Sequence, residues 1–355
     1  MNIPNTLTSG DWKEGHVQGI AIDEARGFIY YSFTTLLVKA DFQNHIVGTV
    51  KNLAGHLGCI TFDADRRRVC GSLELKHDAI GRGIINRTGW NPSEEDNFYL
   101  VSFDVDKIDR MEMDAETDNI MTAVWLGEVA DDYKATDPVS GKVHRYGCSG
   151  IDGTAYGPVF GAPADSPKKL MIAYGVYGDI ERTDNDYQVI LQYDPSVIDT
   201  YGKPLNQAAP HHSGPAAEAR YFVYTGNTTY GVQNLEYDPS SRTWLVAVYV
   251  GKKPQFPNYT TFFIDGSVTP KQTELTGRAG EQGLVLTLAN LGEMGEAGIS
   301  GCRFPDGSTG IYADGKGSYF FSKPSNNKEA KTHSSTVTKY KMDKSNPQVF
   351  IACES

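Results

Sequence analysis

Two histidines stand at the start of neighbouring copies of a short repeated segment, and polar residues follow at a fixed spacing. His16 and His56 begin the first two copies, and Gln18, Asp152 and Gln233 occupy the third position of the first, third and fourth copies. Neutral imidazole is a common ligand of transition metals, and carboxylate and amide oxygens complete mixed sites. We therefore predict a divalent cation (calcium, manganese or zinc) bound by His16, His56 and Asp152. Gln18 and Gln233 are predicted to contact the substrate.

Two alternatives to the metal site stay open at this stage. The histidines could act on a substrate directly without a metal. They could also be channel residues that bond only to water or to a loop carbonyl, because the spacing alone does not supply a third ligand.

A second group of charged residues lies close together in the sequence. Glu74, Lys76, His77 and Asp78 fall within five positions, and Arg82 follows four residues later. A carboxyl or imidazole group beside a cation can have its pKa tuned for general acid or base work. We predict Glu74, His77 and Asp78 as catalytic groups and Lys76 and Arg82 as substrate contacts, against the alternative of an exposed loop whose charges pair with one another.

Tyrosines and acids form a third set. Tyr174, Tyr177 and Asp179 alternate with glycines, and Tyr249 and Asp314 end other predicted strands. An aromatic ring stacks on the apolar face of a sugar while a carboxylate accepts hydrogen bonds from hydroxyls. We predict Tyr174 and Asp314 as catalytic residues and Tyr177, Asp179 and Tyr249 as substrate contacts, although each alone is also typical of a solvated loop.

The elements that must position these residues come from the internal repeat. Five copies align without a gap, each with an apolar second and seventh position and a turn at or after the eighth: 16–23, 56–63, 150–157, 231–238 and 298–305. A second strand follows each copy and carries a small residue at its middle: Ser32, Ser72, Ala173, Ala247 and Ala313. Small residues there allow neighbouring strands to approach closely near a central axis.

Two further strands complete each unit, and the third strand runs into an aspartate in every copy: Asp41, Asp104, Asp194, Asp265 and Asp343. We expect these five aspartates to start Asx-type turns. The fourth strands are expected at 46–51, 122–127, 221–225, 271–275 and 349–353. Four antiparallel strands in each of five units predict an all-β, five-bladed β-propeller in one domain over 1–355, with blades near 16–53, 54–128, 148–226, 229–276 and 297–353.

Long connecting segments are expected on one face of this propeller. They join second to third strands at 75–98, 176–186, 251–259 and 315–336, or enter first strands at 128–148 and 276–297. Long loops on a rigid scaffold commonly carry function. No helix is expected after the Gly81-Arg82-Gly83 segment, which lacks the signature of a phosphate-binding loop.

Composition excludes some classes of partner. The formal net charge of −11 argues against binding to a phosphate backbone, so no nucleic-acid partner is expected. No apolar run is long enough for a transmembrane helix, and residues 1–15 lack a secretory signal. We expect a cytoplasmic protein, with a secreted mature form as the alternative, and five reduced cysteines.

The five-unit pattern resembles the five-bladed propellers, which include the arabinanase-like glycoside hydrolases and the calcium-dependent nucleotidases. The resemblance covers the whole chain at the level of architecture. In the arabinanase-like families three carboxylates from three blades do the chemistry, and Asp152, Glu236 and Asp314 are the nearest candidates here. Gln18 stands where such a family would place its first acid.

These observations favour an enzyme over a binding protein. The predicted function is a cation-assisted hydrolase or lyase that acts on a carbohydrate or glycoside at the channel mouth, with a small molecule or an oligosaccharide as ligand. The alternatives are a non-catalytic propeller that binds a ligand or a protein, and a lactonase- or phosphoesterase-type hydrolase.

Overall fold

The computed structural model describes residues 2–90 and 93–353, in which short strands, paired mainly antiparallel, are the main secondary structure. The strands of the first part are β1 (Thr6–Thr8), β2 (Val17–Asp23), β3 (Phe28–Phe33), β4 (Leu36–Asp41), β5 (Ile46–Lys51), β6 (His56–Asp63), β7 (Arg68–Leu75), β8 (Asn97–Asp104), β9 (Met113–Asp114) and β10 (Met121–Trp125). Those of the middle are β11 (Cys148–Pro158), β12 (Lys168–Val176), β13 (Tyr187–Tyr193), β14 (Ala219–Tyr224), β15 (Thr229–Asp238), β16 (Thr243–Tyr249) and β17 (Thr261–Asp265). The last are β18 (Lys271–Glu274), β19 (Gln282–Val285), β20 (Glu293–Met294), β21 (Ser300–Gly301), β22 (Ile311–Ala313), β23 (Ser318–Asn327), β24 (Thr332–Met342) and β25 (Phe350–Ala352).

Five sheets are arranged in a ring, which confirms the predicted five-bladed β-propeller. The sheets begin at their inner edges with β2, β6, β11, β15 and β22. Each inner strand contacts the next one, and β22 contacts β2, so the inner strands close a circle. A closed radial array of this kind leaves only short, protected sheet edges.

The third position of the repeated segment coincides with an irregularity in strand pairing in four blades. The pairing shifts by one residue around Gln18 in β2, Gly58 in β6, Asp152 in β11 and Gln233 in β15. An extra residue in one strand is left out of the ladder and its side chain is re-aimed. In these four blades, the third position of the repeat therefore lies at a break in the hydrogen-bond ladder of the inner strand.

The small residues predicted at the middle of the second strands lie next to these irregularities. Ser32 donates a hydrogen bond to the carbonyl of Gly58 (2.7 Å), and Ser72 donates one to the carbonyl of Asp152 (3.3 Å). Each bond runs from one blade to the next. The prediction that small residues allow close approach of the blades is confirmed in these two positions.

The fifth blade differs from its predicted strand assignment. Its inner strand is β22, not the copy at 298–305, which instead lies at the outer side of β17 through a bridge between Thr261 and Cys302. The second and third strands are β23 and β24, so part of the segment 315–336 is strand and not loop. The long aromatic run of β23 (Tyr319, Phe320 and Phe321) is buried between blades, and this burial decides the assignment.

The outer strands also differ from the prediction in the third and fourth blades. Residues 271–275 were expected as the fourth strand of blade four, but β18 pairs with β19, which pairs in parallel with β14 of blade three. The outer side of β17 is covered instead by bridges to Leu288 and Cys302. The third blade is therefore a six-stranded sheet, and the fourth has three regular strands.

The two ends of the chain meet in the fifth blade. β1 pairs with β24, so that Leu7 lies opposite Val337, and β25 pairs with the following part of the same strand. Leu7 is fully buried among residues of blades one and five. The ring is thus closed by a sheet that contains both terminal segments.

The five aspartates at the ends of third strands start turns, as predicted. Their carboxylates accept hydrogen bonds from backbone amides two residues later: Asp41 from Gln43, Asp104 from Asp106, Asp194 from Ser196, Asp265 from Ser267 and Asp343 from Ser345. In the described parts of the chain, three α-helices lie in the connections: α1 (Ala79–Thr88), α2 (Gly127–Lys134) and α3 (Pro195–Tyr201). Within the described ranges, no helix is long and apolar enough to cross a membrane.

Candidate functional site

A cavity of about 540 Å³ opens where the inner strands of blades one to four begin. We call it the channel-mouth cavity. Its lining comprises His16, Gln18, Thr34, His56, Glu74, Lys76, Asp78, Ala79, Ile80, Gly83, Ile84, Arg87, Ser149, Asp152, Tyr177, Tyr230, Gln233 and Tyr249. A volume of this size lies within the roughly 300–1,000 Å³ of small-molecule sites.

One wall of the cavity is a buried ammonium group among carboxylates. Lys76 Nζ lies 2.8 Å from Glu74 Oε2 and 3.5 Å from Asp78 Oδ2, and it donates a hydrogen bond to the carbonyl of Ser149 (2.6 Å). Burial opposes the charge of Lys76, but the carboxylates of Glu74 and Asp78 outweigh it and raise the pKa of the ammonium. Lys76 is therefore a fixed positive charge at neutral pH.

Asp152 is the carboxyl group of the cavity that lacks a cation of its own. Its Oδ2 accepts a hydrogen bond from Gln233 Nε2 (3.2 Å), whereas its buried Oδ1 finds no hydrogen-bond partner among the described residues. Burial raises the pKa of Asp152 well above its ordinary value, and repulsion from Glu74 adds to the rise. A carboxyl group in this position stays protonated at a pH where ordinary aspartates are ionised.

Burial also raises the pKa of Glu74, but its surroundings stabilise the ionised form in part. Its Oε1 accepts a hydrogen bond from the amide of Ile151 (2.7 Å), and its Oε2 faces Lys76. Two carboxyl groups close together in a low-dielectric site do not both ionise readily. The contacts make Glu74 the ionised partner and Asp152 the protonated one.

His56 lies between these two acids as a neutral imidazole. Its Nδ1 is 3.8 Å from Glu74 Oε2 and 3.7 Å from Asp152 Oδ1, and within the described part of the chain this nitrogen makes no hydrogen bond. Burial, with repulsion from Lys76, lowers the pKa of His56 to about 3. The uncharged ring therefore adds no positive charge beside the two carboxyl groups.

His16 stands at the outer rim of the cavity, directly before β2, and is paired with Gln18 of that strand. Gln18 Nε2 lies 2.9 Å from His16 Nε2, and an amide nitrogen can only donate. The proton of a neutral His16 ring is therefore on Nδ1. Partial desolvation, together with repulsion from His333 and Arg87, lowers the pKa of His16.

Glycines at two copies of the repeat make room for the carboxyl groups. A Cβ atom at Gly150 would overlap Glu74 Oε1, and Gly150 has a φ of 127°, which favours glycine. A Cβ atom at Gly58 would overlap Asp152 Oδ1. The first and third positions of the repeat are thus glycine where a neighbouring blade sends an acid into the channel.

Helix α1 forms the roof of the cavity and corrects the expectation that no helix follows Gly81. Asp78 caps its N-terminus by accepting a hydrogen bond from the amide of Gly81 (2.9 Å), and Gly89 ends it in the left-handed conformation. The second carboxylate oxygen of Asp78 accepts a hydrogen bond from the hydroxyl of Tyr177 (2.9 Å). Burial favours neutral Asp78, but Lys76, the Gly81 amide and Tyr177 lower its pKa overall.

Most of the site residues predicted from the sequence line this one cavity: His16, Gln18, His56, Glu74, Lys76, Asp78, Asp152, Tyr177, Gln233 and Tyr249. They come from four blades, and their convergence follows from the ring of inner strands and the irregularities at their starts. The roles given to them stay predictions.

The remaining predicted site residues lie elsewhere. His77 turns away to Asp96 (3.1 Å), and Arg82 is on the exposed side of α1. Tyr174 is fully buried between blades, where it donates to Asp132 (2.8 Å), because its register in β12 directs it away from the channel. Asp179 is bonded to Lys142 on a surface loop (2.6 Å).

Asp314 lines a different cavity of about 570 Å³ at the opposite end of the channel, together with Glu236. Burial raises the pKa of Glu236 to about 8, and its Oε1 accepts a hydrogen bond from the amide of Ala313 (3.0 Å). Asp152, Glu236 and Asp314 therefore do not converge on one point. The three-carboxylate arrangement implied by the resemblance is not formed.

The residues predicted to bind a divalent cation do not form a three-ligand group. Among the residues that the structure describes, no set of three His, Cys, Asp or Glu side chains is arranged to hold a metal ion. Gln18 is hydrogen-bonded to Nε2 of His16, so this nitrogen is not available as a ligand. The ammonium of Lys76 contacts Glu74, at the place to which a cation would be attracted. Among the described lining residues, Lys76 and Arg87 bring positive charge to the cavity.

Several lining residues were missed by the sequence analysis. Ile80, Ile84 and Arg87 reach the cavity from α1, and the N-cap Asp78 with apolar residues four positions apart was the signal for this helix. Thr34, Ser149 and Tyr230 come from the ends of strands. Nothing about these residue types in the sequence indicated that they would line a cavity.

No protein-family model matches this chain. No curated protein matches it either. Solved structures similar to it include a protein of unknown function from Desulfotomaculum acetoxidans (9% identity, TM-score 0.36, 95% of this chain and 69% of that chain) and a calcium-bound Trichoderma reesei carbohydrate-active enzyme of family AA12 (11%, 0.38, 90% and 80%). Another is the β-propeller domain of Cps50 (Swd1) from Myceliophteria thermophila (10%, 0.35, 96% and 73%). At these identities and TM-scores nothing is transferred from them, and the fold rests on the strand pairing above.

Proposed function

We propose that the channel-mouth cavity is the active site of a hydrolase or lyase that acts on a carbohydrate or glycoside by general acid–base catalysis. The observation that carries the proposal is Asp152, a carboxyl group that lines the cavity, is buried with a raised pKa, and has one oxygen without a hydrogen-bond partner among the described residues. A protonated acid held in this way is suited to donate a proton to a leaving oxygen.

The proposed step uses one group twice. Asp152 gives its proton to the glycosidic oxygen as the bond between that oxygen and the sugar carbon breaks. The ionised Asp152 then takes a proton back, either from the water that adds to the sugar or from a neighbouring carbon of the sugar. The first route is hydrolysis and the second is elimination, and both return Asp152 to its starting state.

Other residues of the cavity support this chemistry. The carboxylate of Glu74 stabilises positive charge that develops on the sugar, and Lys76 keeps Glu74 ionised beside protonated Asp152. His56, Gln18 and Gln233 offer hydrogen bonds to hydroxyl groups. Lys76 takes the role that the sequence analysis gave to a divalent cation.

The second candidate function is a non-catalytic binding site for the same class of ligand. Tyr177, Tyr230 and Tyr249 line the cavity, and the rings of Tyr230 and Tyr249 are 6.5 Å apart. Aromatic rings beside hydrogen-bonding groups are sufficient to hold a sugar without reaction.

The test is turnover of a panel of aryl glycosides and polysaccharides by the native protein, Asp152→Asn and Asp314→Asn. Asp314 is the matched control, because it is a carboxylate at the other end of the channel. We expect Asp152→Asn to lose activity by roughly 10²–10⁴-fold, with Asp314→Asn close to native. Equal activity of native protein and Asp152→Asn overturns the proposal, and binding without turnover by the native protein selects the second candidate.

A further inference from the structure

Arg87 is a cation of the channel-mouth cavity that has no anion of its own. Its side chain extends from the last turns of α1 and lines the cavity. Nη1 lies near the start of blade one, about 3.1 Å from where a Cβ atom of Gly15 would be. Glu14 is close enough to act on the charge of Arg87, but among the described residues Arg87 makes no hydrogen bond or ion pair.

The other cation of the cavity is fully engaged. Lys76 is buried and contacts Glu74, Asp78 and the carbonyl of Ser149. A guanidinium group presents several N–H donors in a fixed plane that matches a carboxylate. Arg87 is thus the group at this mouth that is free to bind an anion.

A second donor stands close to Arg87. This donor is His16, which lines the same cavity and directly follows Gly15, the residue beside Arg87 Nη1. Repulsion from Arg87 contributes to the lowered pKa of His16. Because Gln18 donates to His16 Nε2, His16 presents an N–H at Nδ1. A charged and a neutral donor therefore lie together on the blade-one side of the cavity.

The charges of the cavity residues favour a ligand with a single negative charge over a dianion. Glu74 and Asp78 are carboxylates whose charges Lys76 neutralises only in part, whereas protonated Asp152 adds no charge. A dianion would be repelled by these groups, while one unpaired cation is matched by a single negative charge.

We infer that the ligand carries one carboxylate, as a sugar acid does, and that Arg87 binds this carboxylate with help from His16. This inference rests on the proposed function, because it names the class of ligand for the same cavity. The carboxylate at the blade-one side fixes the orientation of the sugar, whose remaining part then extends toward His56 and Asp152.

Matched pairs of small glycosides test the inference by calorimetry. Each pair differs only at one position, where a methyl glycoside has a hydroxymethyl group and the corresponding methyl uronoside has a carboxylate, in the gluco, galacto and manno series. We expect the native protein to bind one uronoside roughly 10- to 100-fold more tightly than its neutral partner, as a charge-assisted contact provides. Arg87→Met is expected to abolish this preference while it leaves the neutral glycoside unaffected.

Arg82→Met is the matched control, since Arg82 is on the same helix but does not line the cavity, and it is expected to keep the preference. The inference is wrong if Arg87→Met discriminates as the native protein does, or if a sugar phosphate binds more tightly than the uronoside. In both cases the proposed function stands as long as Asp152→Asn still abolishes turnover of the neutral glycoside. If none of the six glycosides binds, the inference is wrong, and the turnover panel of the native protein and Asp152→Asn decides the proposed function separately.

Discussion

At the scale of single residues, the proposed chemistry of the channel-mouth cavity depends on how unfavourable it is to ionise Asp152. Asp152 is 8% exposed and has Glu74 as a neighbour, while the ammonium of Lys76 is bound to other groups. A polar group buried in this way lowers the stability of the fold in exchange for a defined protonation state.

The native protein and Asp152→Asn should therefore differ in stability in a way that depends on pH. The folded pKa of Asp152 lies above its ordinary value of 3.8, so the favourable contribution of the protonated form is complete below pH 3.8 and is lost as pH rises through the folded pKa. We expect Asp152→Asn to melt a few degrees higher than native protein at neutral pH, with the difference vanishing in acid. Thermal denaturation over a range of pH measures this, and a lower melting temperature for the variant at neutral pH contradicts it.

Gly150 offers a residue-scale test of how tightly Glu74 is held. An alanine there would overlap Glu74 Oε1 and would have to adopt a φ of 127°, so we expect Gly150→Ala to lose about 2 kcal/mol or more of unfolding free energy. A Cβ atom at Gly83 in α1 would have no other atom within 4 Å, and Gly83→Ala should gain about 0.5–1 kcal/mol from helix propensity. Urea denaturation compares the two, and equal effects would show that the overlap is relieved without cost.

At the scale of elements, α1 couples the roof of the cavity to its charged wall. Asp78 caps the helix, bonds Tyr177 and contacts Lys76. Loss of the cap costs a helix about 1 kcal/mol. A local change at Asp78 should therefore loosen the roof without unfolding the ring.

We expect Asp78→Ala to speed amide hydrogen exchange in residues 79–88 roughly fivefold, as a loss of 1 kcal/mol implies. Asp78→Asn keeps a capping oxygen and should have a smaller effect. Exchange monitored by mass spectrometry resolves the peptide that contains α1. Unchanged exchange in Asp78→Ala would mean that packing of Ile84 alone holds the helix.

The strands and helices also show how much of the fold could be predicted from the sequence. The copies at 16–23, 56–63, 150–157 and 231–238 predict inner strands correctly, because their apolar positions and their irregular third position are local properties. The copy at 298–305 has a similar pattern but lies on the outside, since the burial of β23 between blades is a tertiary effect that a pattern does not contain. Helix α1 was missed because its glycines obscured the capping signal of Asp78.

At the scale of the whole molecule, the ring depends on the pairing of β1 with the last blade. Leu7 is fully buried between blades one and five, whereas Thr8 on the same strand is exposed. Removing buried leucine atoms leaves a cavity in addition to the loss of apolar burial. The closure is therefore expected to stabilise all five blades together.

Leu7→Ala should lower the free energy of unfolding by about 2–5 kcal/mol, and Thr8→Ala should change it by less than about 0.5 kcal/mol. Urea denaturation followed by both tryptophan fluorescence and circular dichroism measures the loss. A Leu7→Ala protein as stable as native would show that the terminal pairing does not support the ring.

The site itself is also a property of the whole molecule, which explains the limits of its prediction. His56, Glu74 and Asp152 could be assigned to one end of the channel from the repeat. The register of β12 turns Tyr174 away from the channel, and the position of β22 as an inner strand puts Asp314 at the far end. Both features depend on neighbouring blades. Arg87 reaches the rim only because α1 folds back over the inner strands.

The proposed chemistry depends above all on the protonation state of Asp152. Carbon-detected NMR of aspartate carboxyl groups over a pH titration, with the Asp152 signal assigned by its loss in Asp152→Asn, reports this state without a substrate. We predict a carboxyl group whose midpoint lies well above 3.8, so that it stays protonated at a pH where ordinary aspartates are ionised. An Asp152 signal that titrates at the ordinary value, and is ionised at neutral pH, would contradict the proposal.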